Sequence, residues 1–182
     1  MKVILQNTTL VFRSVQYEKI VVNTLLVNNI VNNKYITPTG LVGDATPPPI
    51  KNVLGSMQVE KDVEYVIYTP NKSYISGLGG YLYSSDGGSS PNYNHFLGYQ
   101  TFGTWEEATD DNDNTIYIRP VTPSADGYLC LGGFYGTDST QDLLDRHIMF
   151  GKKSDIQRYG YKYAAPLAEV DVPIIEETNV SE

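Results

Sequence analysis

The sequence predicts an all-β chain: an antiparallel β-sandwich, jelly-roll-like, with an extended N-terminal segment and one short C-terminal helix. Three observations carry this. Tyrosine is unusually common, with 15 in 182 residues, and aromatic side chains fit a pleated, half-buried surface. Sixteen glycines and ten prolines supply the turns that many short strands require. Short apolar or alternating runs recur at a spacing of about 8–14 residues, the rhythm of an antiparallel sandwich.

Taken in order, LVF at Leu10–Phe12 and KIVV at Lys19–Val22 read as strands. TLLVNNIVNN also places Leu25, Leu26 and Asn29 at helical spacing, but its β-branched residues and Asn–Asn pairs favour strand. Ile36–Asn52 holds four of the ten prolines, three of them consecutive at Pro47–Pro49. Consecutive prolines cannot donate to a ladder and favour polyproline II, so this stretch is a linker or an ordered surface loop. Three parts are expected: residues 1–52 as N-terminal strands, attachment segment and linker; 53–168 as the β-sandwich; and 169–182 as an acidic tail. The tail is expected to be disordered, or an arm that orders on a partner.

From Val53 onward VEYVIYTP, SYIS, GYLYS, TIYIRPV and YLCLGGFYG read as strands. Turn residues separate them at Pro70-Asn71, Asp86–Gly88, Asp111–Asn114 and Asp126-Gly127. In TIYIR, Ile116 and Ile118 face one side and Tyr117 and Arg119 the other, which predicts a sheet packed on one face. DSTQDLLDRHIMFGKK, Asp138–Lys153, is the helical candidate. Asp138 or Ser139 would cap it, Leu143, Leu144, His147 and Ile148 would share a face, and Gly151 would end it. Two segments nearly repeat: LGGYLYSSDGG from Leu78 and LGGFYGTDS from Leu131. Paired glycines inside strands mark bends, bulges or close backbone approach, and that reading is preferred to duplication because the match covers only about nine residues.

The formal net charge is −8 and no Lys/Arg run is present, which argues against nucleic acid and against an anionic membrane surface as partners. No apolar run is long enough to span a bilayer. MKVILQNTTLVF is interrupted by Gln6, Asn7 and Thr8 and does not read as a signal peptide, so synthesis in a cytoplasm without classical export is expected. Cys130, the single cysteine, lies in an apolar run and reads as a buried structural thiol. No nucleophile elbow, phosphate loop, zinc spacing or dinucleotide fingerprint is present. His95 and His147 read as surface or packing residues, and the protein is expected not to be an enzyme.

Two binding sites are conceivable. In EEATDDNDN, Asp111 and Asp113 offer hard oxygen ligands at alternating positions, as calcium prefers, although the EF-hand glycine and terminal glutamate are missing. A solvated turn is the preferred reading, with no other cofactor expected. Tyr81, Tyr83, Tyr93, Tyr99, Trp105 and Tyr135 could stack on sugar rings, with Pro91–Trp105 as a recognition loop. The same side chains also suit the sandwich core or a protein interface.

VEKDVEYVIYTPNKSYISGLGGYLYSSDGG followed by DNDNTIYIRPVTPSADGYLCLGGF resembles β-sandwich modules in virion proteins of phages infecting gut Bacteroidetes, including crAss-like phages. The matching features are the Ser76-Gly77 turn, the Gly80–Tyr83 strand and the Tyr117–Pro120 strand. MKVILQNTTLVFRS is similar to the N-termini of such proteins, where it would act as an attachment segment. The resemblance covers most of residues 1–135. It implies a capsid auxiliary protein, head fibre or tail fibre on the particle exterior. Its partners would be the major capsid protein or other virion proteins, its state a homo-oligomer, and surface glycan a further possible partner. No catalytic residue comes with it. The absence of heptads or β-helix repeats favours a capsid decoration or head-fibre subunit docking through residues 1–35, with Leu10, Val11 and Phe12 as contacts, and through the acidic tail. A carbohydrate-binding module of a tail fibre or adhesin is the alternative.

Overall fold

A computed structural model describes residues 15–25, 34–36, 42–44, 51–75, 79–135 and 144–174. In chain order the strands are β1 (Tyr17–Val21), β2 (Lys34–Ile36), β3 (Val42–Asp44), β4 (Lys51–Val59), β5 (Tyr65–Thr69), β6 (Gly79–Ser85), β7 (Pro91–Gln100), β8 (Glu106–Thr109), β9 (Thr115–Val121), β10 (Gly127–Tyr135), β11 (Met149–Lys152) and β12 (Glu169–Pro173), with helix α1 (Lys153–Arg158) after β11. The strands form a six-stranded sheet β3-β2-β4-β10-β6-β7, a four-stranded sheet β11-β5-β9-β8 and a two-stranded ribbon β1-β12. Every pairing is antiparallel. The all-β antiparallel sandwich and its short C-terminal helix are therefore present. Among the described residues the sheets hold six, four and two strands, rather than the eight strands in two sheets of a jelly roll.

Side-chain alternation decides how these sheets stack. Along β5, Tyr65 and Ile67 enter a core shared with Met57, Leu82, Leu129 and Phe150, which joins the two larger sheets. Val66 and Tyr68 point the other way, into a second core with Val22, Ile116, Ile118, Met149, Ile156 and Val172. All five residues of β5 are buried, the signature of a strand covered on both faces. The four-stranded sheet is thus a middle layer, with β1, β12 and α1 packed over its far side. This corrects the expectation, drawn from β9, of a sheet packed on one face: Ile116 and Ile118 are one of two buried faces.

The expected boundary at 52/53 falls inside β4, and β2 and β3 belong to the large sheet. Leu25 lies in the first core and Val22 in the second, both fully buried. The tail expected from Glu169 begins with β12, whose Val172 is also fully buried. Residues 15–25 and 169–174 are part of the folded unit. Its closure depends on a strap, Val22–Leu25, laid across β11: the Thr24 amide donates to the Phe150 carbonyl at 2.7 Å.

The repeated LGG segments lie side by side. Leu131 pairs with Gly80 and Gly132 with Gly79 across β6 and β10, and β10 shifts register against β4 between Leu131 and Gly132. A Cβ on Gly80 would sit 3.1 Å from the Gln100 carbonyl oxygen and from the Phe102 ring. Close approach and a bulge, the predicted uses of such glycines, are both present.

Local turn chemistry overrode three other expectations. SYIS is not a strand: Lys72–Ile75 is a short 3-10 helix, because the Asn71 carboxamide accepts from both the Ser73 amide (3.0 Å) and its hydroxyl (2.9 Å), closing an Asx-type turn. In the expected helix Asp138–Lys153, Leu144 and Asp145 are helical and residues 136–143 lie outside the described residues. His147 then takes a left-handed φ of 52° and Met149–Lys152 is β11, while the helix α1 comes later. Pro91–Gln100, expected as a loop, is the edge strand β7, broken by two register irregularities against β6.

Candidate functional site

The predicted aromatic platform divides into two places. Tyr81 and Tyr83 leave the outer face of the large sheet beside Cys130, and β7 folds Tyr93 and Phe96 over them. The Tyr83 ring lies 5.4 Å from those of both Tyr93 and Phe96, and Tyr99 meets Tyr81 edge-on at 5.3 Å. Such contacts stabilise by about 0.5–1.5 kcal/mol each beyond the area buried. Tyr81 is only 3% exposed and Tyr83 0%. This corrects their expected role: neither has a ring face open to a sugar. Burial also raises the hydroxyl of Tyr81 above the usual phenol range and those of Tyr83 and Tyr93 well above it. Tyr93 is half-buried, its hydroxyl facing the Cys130 thiol. Tyr99 is the one exposed ring of this cluster. Tyr135 ends β10 opposite Lys51.

Trp105 is elsewhere. It packs against the core between the sheets, and the Arg119 guanidinium lies 5.6 Å from both the Trp105 and Phe102 rings. Arg119 is itself held by donating from Nε to the Gly103 carbonyl at 2.9 Å. Trp105 is therefore half-buried against the first core and is not part of a common platform with Tyr81, Tyr83, Tyr93 and Tyr99.

Cys130 is the structural thiol expected. Burial pushes it up to about 12, so almost no thiolate forms near neutral pH and the nucleophilic species is absent. Under native conditions at pH 8, a thiol-reactive disulfide reagent is expected to leave Cys130 unmodified until the protein is unfolded. Rapid labelling of the folded chain would contradict its placement.

The acidic turn is a β8–β9 hairpin whose hub is Asp110 rather than the expected pair. The Asp110 carboxylate accepts from the amides of Asn112 and Asn114, both at 2.9 Å, and from the Asn114 side chain. The Asn114 bonds chiefly hold its carboxyl below the usual aspartate range. Asp111 turns away to pair with Lys162, and Asp113 occupies a left-handed turn position with φ 61°. Among the described residues no three His, Cys, Asp or Glu side chains gather as a metal site. Asp111 is thus engaged by a lysine, and Asp113 serves the turn itself. Leu10, Val11 and Phe12 lie outside the described residues.

The feature that sequence reasoning missed is the β1–β12 ribbon. Tyr17 pairs with Pro173 and Val21 with Glu169, and the Ile174 amide donates to the Gln16 carbonyl at 2.9 Å. Residues 16 and 174 therefore lie side by side at one tip of the folded unit. α1 fastens that tip: Arg158 pairs with Glu18 and donates to the Pro173 carbonyl at 3.1 Å. Val15 (58%), Tyr17 (61%) and Ile174 (39%) are exposed near this tip, Tyr17 on one face of the ribbon and Ile174 on the other. Lys19 opposite Asp171 was the available cue, a pair of complementary cross-strand charges separated by most of the chain. Compared with protein-family models, curated proteins and solved structures, the chain shows no significant match.

Proposed function

We propose that the protein is a non-enzymatic structural component of a phage virion, a capsid-associated decoration or head-fibre subunit that docks through the tip where its terminal segments meet. The observation that carries this reading is the β1–β12 ribbon. It brings residues 16 and 174 side by side, with Val15, Tyr17 and Ile174 exposed at that tip. Exposed apolar side chains at such a tip suit a protein contact. An acidic chain, net charge −8, suits solubility on a particle exterior. The partner is the major capsid protein or another virion protein, with several copies arranged by the symmetry of the particle. No resident cofactor is required for this role.

The test is mass spectrometry of purified particles of the phage that encodes the chain, with a Tyr17→Glu variant beside the wild type. Tyr17 is exposed, so the substitution should change stability by about 0.5 kcal/mol or less. The wild type is expected as a stoichiometric particle component and the variant to be depleted about tenfold, a loss equivalent to one buried anchor. Absence of the wild-type chain from particles overturns the virion reading. Incorporation of Tyr17→Glu at the wild-type level overturns docking through this tip.

A further inference from the structure

A hollow of about 530 Å³ opens beside the ends of β4 and β11, and a second of about 510 Å³ adjoins it; they share Gln58, Glu60 and Tyr128. Together they make one trough, running from Val21 and Leu167 at one end to Asp126 at the other. Each half falls in the range of small-molecule sites, roughly 300–1,000 Å³.

The chemistry of the walls selects a ligand class. The carboxylates are already matched: Glu60 pairs with Lys152 at 2.8 Å, Asp155 lies 3.9 Å from Arg158, and Asp126 accepts from the Lys61 amide at 2.6 Å. An ionic ligand would have to break these pairs, and an anion would also meet the field of a chain carrying −8. Neutral hydrogen-bonding capacity is left over. Gln58 is exposed, stands opposite Tyr128 in the β4–β10 ladder, and its amide makes no hydrogen bond among the described residues. One carboxamide offers two donors and an acceptor. Tyr65 and Tyr128, both 2% exposed, line the trough as well, and the Tyr128 hydroxyl donates to the Gly88 carbonyl at 3.4 Å. The Tyr65 oxygen accepts from the Glu60 amide at 3.0 Å, which leaves its proton to donate. Leu167, 50% exposed, adds an apolar wall beside these polar groups.

We infer that this trough binds a neutral, hydroxyl-rich chain, a linear oligosaccharide, with the Gln58 amide as its recognition centre. Vicinal hydroxyls bridge the Gln58 carboxamide and the Glu60 carboxylate, and the C–H face of a ring rests on Leu167. The two halves of the trough take successive sugar units. The site is distinct from the Tyr99 and Trp105 regions and does not depend on how the protein docks.

The experiment is a titration of the ¹⁵N-labelled full chain with maltohexaose, cellohexaose, xylohexaose and chitohexaose, each to ~10 mM so that millimolar dissociation constants register. At least one is expected to shift the Gln58 side-chain NH₂ and the Tyr128 amide. Gln58→Ala is expected to weaken that binding about tenfold, the loss of a hydrogen-bonding side chain, while the rest of the spectrum stays in place. Leu167→Ser, at an exposed position, should weaken it in the same direction. No shift at these residues with any of the four sugars overturns the assignment. So do shifts confined to Tyr99 and Trp105, or a Gln58→Ala variant that binds as the wild type.

Discussion

Gly151→Ala is expected to destabilise the protein by about 3 kcal/mol or more, or to prevent folding, because overpacking against backbone has no side chain that can yield. Gly151 lies in β11 where the Val22–Leu25 strap crosses it. A Cβ there would overlap the Val22 carbonyl oxygen and come within 3.4 Å of the Ile156 side chain. The backbone on either side cannot retreat. The Thr24 amide is tied to the Phe150 carbonyl, while Phe150 is fully buried and stacked on Tyr65 at 5.5 Å. Urea unfolding of the purified variant measures the effect. A change below about 0.5 kcal/mol, the range of ordinary surface substitutions, would show that the strap is not seated on β11.

Asn23→Ala should be comparably severe, for an electrostatic reason. Asn23 is fully buried, and its side chain works in three directions. Its Nδ2 donates to the Ala164 carbonyl at 2.9 Å, and its Oδ1 accepts from the amides of Phe150 and Leu25, both at 3.3 Å. Alanine removes all three partners at once and leaves two backbone donors and one acceptor in a dry site. Each unsatisfied buried group costs about 1–3 kcal/mol, so a loss of about 3 kcal/mol or more follows. Because the defect is one of hydrogen bonding, the urea midpoint should fall while the slope of the transition stays unchanged. A neutral result would mean that water reaches this site and that the strap stands off the core.

Both substitutions probe a segment that the sequence placed outside the domain, and the reason for that misplacement is physical. Strands with strong local signatures were legible: YVIYT, GYLYS, TIYIRPV and YLCLGG all lie in strands, and a turn does precede TIYIRPV at Asp111–Asn114 as expected, joining it to β8. Partnership over long sequence separation was not legible. β1 and β12 are short, and the charged and apolar residues of EVDVP read as a solvated tail until Tyr17–Val21 is set beside it. IMFG defeated periodicity for a related reason. Met149 enters the second core and Phe150 the first, so a strand buried on both faces looks as uniformly apolar as a helix.

The candidate sites follow the same pattern. Tyrosines in a strand-rich chain pointed to stacking chemistry, yet residue type alone does not say which face of a strand is covered. β7 folds over Tyr81 and Tyr83 because its register breaks twice, and no local pattern announces that. The trough was not visible at all, since Gln58, Lys152 and Leu167 come from distant elements that meet only when β4, β11 and the segment before β12 are assembled.

The account rests on β1 and β12 being part of the folded unit and bringing residues 16 and 174 to one tip. Native-state hydrogen exchange tests this most directly. The amides of Thr24, Leu167 and Ile174, bonded to the carbonyls of Phe150, Asn23 and Gln16, report on the strap and the ribbon; those of β5 report on the centre. The account predicts that Thr24 and Leu167 exchange in the same slow class as β5, through global unfolding, with Ile174 somewhat faster at the tip. Exchange of Thr24 and Leu167 orders of magnitude faster than β5 would mean that the ends are loosely attached arms. The proposed docking tip would then have no fixed geometry.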